Sequence, residues 1–280
     1  VTARTLIRAF AQSEFDAFAA LSGDHNPIHV DPAFAAANGF GATVAHGAML
    51  CATLQALGEA MLCEAGRDPG EAGWHLVESA AMFPAPTFAD QDMVLSGTLL
   101  PATAETAAGA VDLALDMSRA VDAVVTCTLR LRFAPVRPPA AADTPAWLLD
   151  PQGAADRPLR LEAGAALSRA FTPREAYALA VLAGGQVRDG QTPEALGLGM
   201  FSTLLGMELP GRGTNYLKQA TRFHAAARLG ETLRAGVRVT RLRPETRLVD
   251  LETLLFSESA GLVASGRALV SARDVPGAFA

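Results

Sequence analysis

The sequence predicts an α+β protein built from one unit used twice. Three observations carry that prediction. A proline-rich stretch divides the chain near its middle, the flanks on either side repeat one another in order, and each flank ends in a succession of strand-like runs. The length agrees, because 280 residues suffice for two domains. Half of the residues are apolar and 19% are charged, so a sizeable core is within reach and whole-chain disorder is excluded.

Between Ala134 and Pro158 six prolines oppose both regular helix and sheet. The reading is a first repeat over residues 1–134, a linker over 135–158 and a second repeat over 159–280. Within the linker, Trp147-Leu148-Leu149 offers one apolar anchor. Across it, Arg8-Ala9-Phe10 recurs as Arg169-Ala170-Phe171, 161 positions on, and the same offset pairs Glu14 with Glu175, Leu21 with Leu182 and Gly23 with Gly184. Further along, Phe83 pairs with Phe223 at an offset of 140, so the second copy reads as the first less about 21 residues.

Each repeat opens on a short amphipathic helix, seen in Ser13–Leu21, where Phe15, Phe18 and Leu21 fall at helical spacing. In the first copy a polar loop follows. Then Val44 to about Cys63 is apolar nearly all round and long enough for a buried helix. Strand-like runs come next: His75–Phe83, Met93–Leu100, Ala110–Ser118 and Val124–Phe133. The second copy repeats them as Thr214–Phe223, Thr232–Leu242, Thr246–Ser257 and Leu262–Ala272. One long buried helix followed by antiparallel strands implies a sheet wrapped around that helix.

Composition excludes several classes of function. A net charge of −6 argues against a general nucleic-acid binder. Cys51, Cys63 and Cys127 are odd in number and form no CxxC pair, which fits a reducing compartment better than a disulfide framework or zinc site. No apolar run reaches bilayer-spanning length and Val1–Arg8 lacks the apolar core of a signal peptide, so a cytoplasmic location with no membrane partner is expected. Charge is uneven: residues 1–160 hold nine arginines against eighteen acids, while the remainder is net basic, the better place for a polyanionic ligand end.

The informative stretch is Leu21-Ser-Gly-Asp-His-Asn-Pro-Ile-His-Val-Asp-Pro32. His25 and His29 stand at the spacing of a helical metal site, but Pro27 disfavours helix between them and no third ligand follows at a usual spacing, so no metal is expected. An acid/base reading fits better. Asp24 and His29 on a proline-stiffened loop can share one water, the requirement for adding water across a polarised double bond or removing it. The plainer alternative has Asp24 capping a turn and His29 satisfying loop backbone. His46-Gly47 then opens the buried helix. There the unpaired N–H groups favour negative charge, and Gly47 lets a ligand approach the backbone closely enough to serve as an oxyanion donor. Ordinary helix-start chemistry would look the same.

Together, Gly23-Asp24-x-Asn26-Pro27-x-His29-x-Asp31-Pro32 and Ala45-His46-Gly47 resemble the MaoC-like (R)-specific enoyl-CoA hydratase family, and Gly213–Phe223 and Gly230–Leu233 look like its central strands. The resemblance implies a double hotdog fold. It implies that Asp24 and His29 hold a catalytic water, that the Gly47 N–H binds a thioester oxygen, and that Asn26, His46 and Gln55 support the site. The implied reaction is hydration of a trans-2-enoyl-CoA to the (R)-3-hydroxyacyl-CoA, or its reverse, with no cofactor beyond coenzyme A as part of the substrate. Two alternatives stay beside it: dehydration of 3-hydroxyacyl thioesters carried on coenzyme A or a carrier protein, and a non-catalytic acyl-thioester binding module. Lys218, Arg222, Arg228 and Arg234 are candidates for the coenzyme A phosphates, and Leu50, Leu54, Leu57 and Met82 for the acyl tail. The expected partners are the acyl-CoA and, at most, a second copy in a homodimer.

The second copy departs from the motif. At the 161 offset Asp24 faces Gly185 and His29 faces Gly190, so one active site per chain is expected. The deletion is expected to remove the counterpart of the His46-Gly47 helix start. A serine that the family places along the helix falls at Gln55 by register from His46, whereas the second copy keeps Ser202.

Overall fold

The structure is a computed structural model that describes residues 3–69, 73–101, 109–139, 143–188 and 190–279. The first repeat runs β1 (Ala3–Ala9), α1 (Gln12–Ser22), α2 (Pro27–Val30), α3 (Pro32–Ala37), α4 (Gly47–Glu64), β2 (His75–Met82), β3 (Asp92–Leu99), β4 (Val111–Arg119) and β5 (Val125–Ala134). After the short linker helix α5 (Ala146–Leu149), the second repeat runs β6 (Gly164–Ala170), α6 (Pro173–Ala183), α7 (Glu194–Thr203), a π-helical turn (Leu204–Glu208), β7 (Asn215–Phe223), β8 (Thr232–Arg243), β9 (Leu248–Ser257) and β10 (Gly261–Ser271).

All ten strands join one antiparallel sheet in the order β1-β3-β4-β5-β2-β7-β10-β9-β8-β6. The repeats meet at β2 and β7, where Ala80 faces Ala220, with Glu78 opposite Arg222 on one side and Met82 opposite Lys218 on the other. This is a pseudo-twofold arrangement. The eight strand-like runs of the sequence appear within a few residues of their expected limits, while β1 and β6 were not anticipated. These two are edge strands, and β1 has no fully buried residue, so its alternation is too shallow to read as a buried face.

The matches at offset 161 repeat one local device. Arg8 lies 4.5 Å from the Phe10 ring centroid and pairs with Glu14, and Arg169 lies 4.7 Å from the Phe171 ring centroid and pairs with Glu175. Both acids accept the backbone N–H at the start of their helix, from Ala11 and Thr172. Gly23 and Gly184 close those helices at φ +91° and +74°, a region that only glycine enters freely.

One expectation is corrected. The second repeat keeps its central helix, and with it a counterpart of the first repeat's helix start. Val44 bridges Phe88 in the first copy and Gln191 bridges Arg228 in the second, which sets Pro193-Glu194 opposite His46-Gly47 and Ser202 opposite Gln55. The missing residues are therefore split, some from the loop before the helix and the rest from its C-terminal end. A near-continuous apolar run, Ala195–Leu205, sits buried against α4 and the sheet. The linker is pinned as its apolar triplet suggests. Leu148 is fully buried, and its Cδ1 packs so closely on Gly236 that a Cβ there would overlap it.

Candidate active site

The polar loop after α1 is held from both repeats. Gly23 turns the chain out of α1, and the Ser22 carbonyl at that turn accepts from Arg169 Nη1 and Thr203 Oγ1, each at 2.9 Å, both from the second repeat. Ser22 Oγ accepts the Asp24 N–H at 3.1 Å. Asn26 crosses between repeats, its Nδ2 donating to the Thr214 carbonyl (2.9 Å) and its Oδ1 accepting the Gly213 N–H (3.1 Å). Pro27 occupies the first turn of α2, where its lack of an N–H costs nothing, and that helix carries His29 inward. Asp31 caps α3 by accepting from Ala33 and Phe34, so it belongs to the scaffold.

Asp24, only 1% exposed, accepts the Ser202 hydroxyl at 2.6 Å on Oδ2 and the Asn26 N–H at 3.2 Å on Oδ1. Gly206, in the π-helical turn, makes room for it: a Cβ there would stand 2.5 Å from Oδ1. Burial pushes the Asp24 carboxyl up from its ordinary range, against the pull of the neighbouring His29 and the Ser202 hydroxyl. Burial likewise holds His29 below the ordinary imidazole range, although Asp24 draws it upward. His29 Nδ1 lies 2.7 Å from the Val44 carbonyl, which can only accept, so Nδ1 carries the hydrogen and Nε2 of the neutral ring is an acceptor. Beneath it, His46 stacks at 3.7 Å between centroids and 27° between planes, and its Nε2 donates to the Asp24 carbonyl at 2.9 Å. Burial pushes His46 well below the usual range, and its buried Nδ1 has no partner.

All of these groups but His46 line one cavity of about 120 Å³ together with Gly47, Leu50, Phe83, Thr87, Leu205 and Tyr216. Gly47 is the first residue of α4, so its N–H has no acceptor within the helix. The arrangement brings a buried carboxylate, a neutral imidazole and an anion-favouring helix start to one small space. Asp24, His29 and His46 also place one ligand-type atom each within 4.8 Å of one another, so a metal-capable cluster exists where His25/His29 spacing would not have located it. His29 Nδ1 and His46 Nε2 are already committed to backbone carbonyls, which leaves one free nitrogen on each of the stacked rings. The geometry suits acid/base work better than coordination.

Other anticipated residues lie elsewhere. Gln55 does not line this cavity; it donates to Glu59 at 2.8 Å in the pseudo-equivalent position of the other half. The serine that reaches Asp24 is Ser202, because the pseudo-twofold sets the second repeat's helix against the first repeat's loop. Of the phosphate candidates, Arg222 pairs with Glu78, Arg234 donates to the Leu148 and Leu149 carbonyls, and Arg228 bridges Gln191 within the second repeat. Lys218 projects from the outer sheet face, and none of the four lines the cavity. Met82 is exposed on that same outer face and Leu54 and Leu57 do not line the cavity, so Leu50 alone remains of the four acyl-tail positions. Ser202, Gly206, Phe83 and Tyr216 were missed as site residues. Only a register of one repeat against the other would have revealed them.

Comparison with known proteins adds a match over about a third of the chain: residues 2–100 fit the family model described as MaoC like domain. That segment of the first repeat is similar to a MaoC-like domain. An (R)-specific enoyl-CoA hydratase from Aeromonas caviae is 38% identical over 71 residues, which are 25% of this chain and 53% of that protein. The chain thus spans about half, or less, of the length of the curated relatives it matches. Two solved structures share the whole architecture. A MaoC-like dehydratase superposes with a TM-score of 0.73 at 14% identity, covering 96% of this chain and 97% of its own. A Mycobacterium tuberculosis protein described as a double hotdog does so at 0.70 and 13%, covering 97% and 96%. At such identities the likeness speaks for the fold alone, which is a double hotdog. Among the described residues, no helix is long and apolar enough to cross a membrane.

Proposed function

We propose that the chain is a hydro-lyase that adds water to a trans-2-enoyl thioester, giving the (R)-3-hydroxyacyl thioester, and catalyses the reverse. The observation that carries this reading is the buried Asp24–His29 pair, braced by Ser202 and facing the Gly47 start of α4 in one cavity. The names of partial relatives, an (R)-specific enoyl-CoA hydratase and a 3-hydroxyacyl-thioester dehydratase, support the same chemistry in either direction. Coenzyme A as the thioester carrier is part of the proposal and rests on the first of those relatives.

The chemistry balances with this chain's own groups. The thioester oxygen accepts from the Gly47 N–H, which draws electron density from C3. Asp24, poised by burial as a stronger base than an exposed carboxylate, takes one proton from water while the hydroxide forms its bond to C3. The C2=C3 pair moves toward the carbonyl, and the resulting enolate oxygen stays on Gly47. Neutral His29, with Nδ1–H spent on Val44, orients the water by accepting at Nε2 and has no proton of its own to give. The proton held by Asp24 therefore passes to C2, which completes the addition and restores the base. No metal or redox cofactor is required by these steps.

The test follows loss of the conjugated enoyl absorbance with crotonyl-CoA, beside Asp24→Asn, which keeps shape and removes the base. Turnover to the (R)-alcohol that vanishes in the variant is the expected result. Binding without turnover by the unaltered protein would overturn hydration in favour of an acyl-thioester binding module.

A further inference from the structure

On the face of the sheet turned away from the central helices, a trough of about 710 Å³ crosses the strands where the repeats join. The strand register defines its floor. Arg130 of β5 pairs with Ala80 of β2, Ala80 with Ala220 of β7, and Ala220 with Arg267 of β10. All four residues are exposed, while their neighbours Ala81 and Ala268 are buried on the inner side. Two arginines thus end one row, three strand spacings or about 14 Å apart. The residues between them are alanines, too small to fill the space. The pseudo-twofold exchanges Ala80 with Ala220 and Arg130 with Arg267, so each repeat supplies half of the arrangement.

The charges around this row are sorted. Glu78 meets Arg222 at 2.9 Å and Arg132 at 3.8 Å, and Asp112 meets Arg132 at 2.7 Å. Glu252, the register partner of Arg267, is held by Arg238 at 2.8 Å. Each carboxylate that lines the trough among the described residues therefore already has an arginine. Arg130 and Arg267 have no hydrogen bond or ion pair among the described residues. Their long side chains can lean over the alanines and turn both guanidinium forks on one group. A carboxylate offers two oxygens in one plane, which a single fork occupies. A phosphate presents its oxygens around a tetrahedron and can take a fork from either side. The chain's net charge of −6 provides no wider basic field for a nucleic acid, so the fitting anion is a small one.

We propose that this trough binds a small ligand through a phosphate or pyrophosphate group, gripped between Arg130 and Arg267 over the floor of Ala80 and Ala220. The site is separate from the catalytic cavity, which none of these four residues lines, and it does not depend on the enoyl-thioester reading.

The experiment titrates the full chain with inorganic pyrophosphate, ADP and succinate by calorimetry at low salt. Pyrophosphate is expected to bind at one site per chain, and succinate much more weakly. Arg130→Gln and Arg267→Gln should each weaken pyrophosphate by about tenfold or more, the scale of a lost hydrogen bond to a charged group, and the double variant should abolish binding. Both positions are exposed, so these variants should keep the thermal midpoint of the unaltered protein. Ala80→Glu fills and charges the floor with both arginines in place, and it should abolish binding as well. ADP bound more tightly than pyrophosphate would support the site and assign it to a nucleotide; ADP bound no more tightly would support it for the phosphates alone. No binding by the unaltered protein, an affinity unmoved in the double variant, or succinate bound as tightly as pyrophosphate overturns the proposal.

Discussion

The proposed site and its pseudo-symmetric counterpart, the live half and its twin on that proposal, use the same framework for opposite ends. In the live half, Ser202 and Gly206 of the facing helix leave space for the Asp24 carboxylate. In the other half the corresponding positions are Gln55 and Glu59, and the Glu59 carboxylate fills the space itself. Arg188 meets Glu59 at 2.5 Å and Glu194 at 3.4 Å, and Arg137 from the linker reaches Glu194 at 3.3 Å. Where His46-Gly47 opens the live helix, Pro193-Glu194 opens the other, so a carboxylate already occupies the anion-favouring end. Side chains in the counterpart are paired with one another, whereas the half that holds Asp24 keeps a buried carboxyl with no ion-pair partner among the described residues, a bare Nε2 and a helix-start N–H turned toward a cavity. A site keeps its chemistry by leaving polar groups unsatisfied; its twin gained a closed ion cluster by satisfying them.

The sharpest way to break this comparison is Asp24→Asn. It should lower kcat with crotonyl-CoA by at least about a hundredfold, the scale of a lost general base. It should also raise the thermal midpoint at neutral pH. The sign follows from burial: the folded protein holds the Asp24 proton more tightly than the unfolded chain, so the ionised carboxylate costs stability above its unfolded value of 3.8 and the neutral amide removes that cost. The gain should fade as pH falls through the raised folded-state value toward 3.8 and be gone below it, and a midpoint that drops in the variant at pH 7 would contradict the assignment. Next in size is Gly206→Ala, whose methyl would displace the carboxylate it touches; a tenfold or greater loss of kcat at nearly unchanged fold is expected.

Ser202→Ala removes a hydrogen bond to a charged group, worth about 1.5–3 kcal/mol. Because that hydroxyl favours the ionised carboxylate, its loss should shift the acid limb of the kcat/KM–pH profile upward, since activity disappears as Asp24 takes up a proton. A profile that stays in place would separate Ser202 from the base. Arg188→Met tests the twin: it should cost roughly 1–3 kcal/mol in denaturant unfolding by leaving the buried Glu59 carboxyl without its cation, and leave turnover within about twofold. Smallest of all is Gln55→Ser, which restores a serine to the twin and should alter neither. Any change in turnover from that variant would mean the two halves have been read in the wrong register.

Much of this was legible from local sequence. The strand runs alternate visibly, the proline-rich linker interrupts them, and Asp24, His29 and Gly47 fall within a short loop and the helix that follows it, where spacing alone limits where they can point. Legibility ended where burial was partial or contacts were distant. The edge strand β1 shows exposed and half-buried residues in turn rather than a buried face, and α7 is apolar all round and shares no motif with α4. The phosphate candidates were chosen by charge, yet charge does not say which sheet face an alternate residue occupies.

The sequence by itself determined the duplicated α+β architecture and the loop that carries Asp24 and His29, because hydrophobic period, turn chemistry and motif spacing act over a few residues. Only the tertiary structure decided which helix serves that loop. The Ser202–Asp24 contact joins residues 178 positions apart, and it exists because β2 and β7 pair about a pseudo-twofold that lays each repeat's helix against the other's loop. A contact of that kind is a property of the closed sheet and of the packing it imposes on both central helices, and no local preference encodes it.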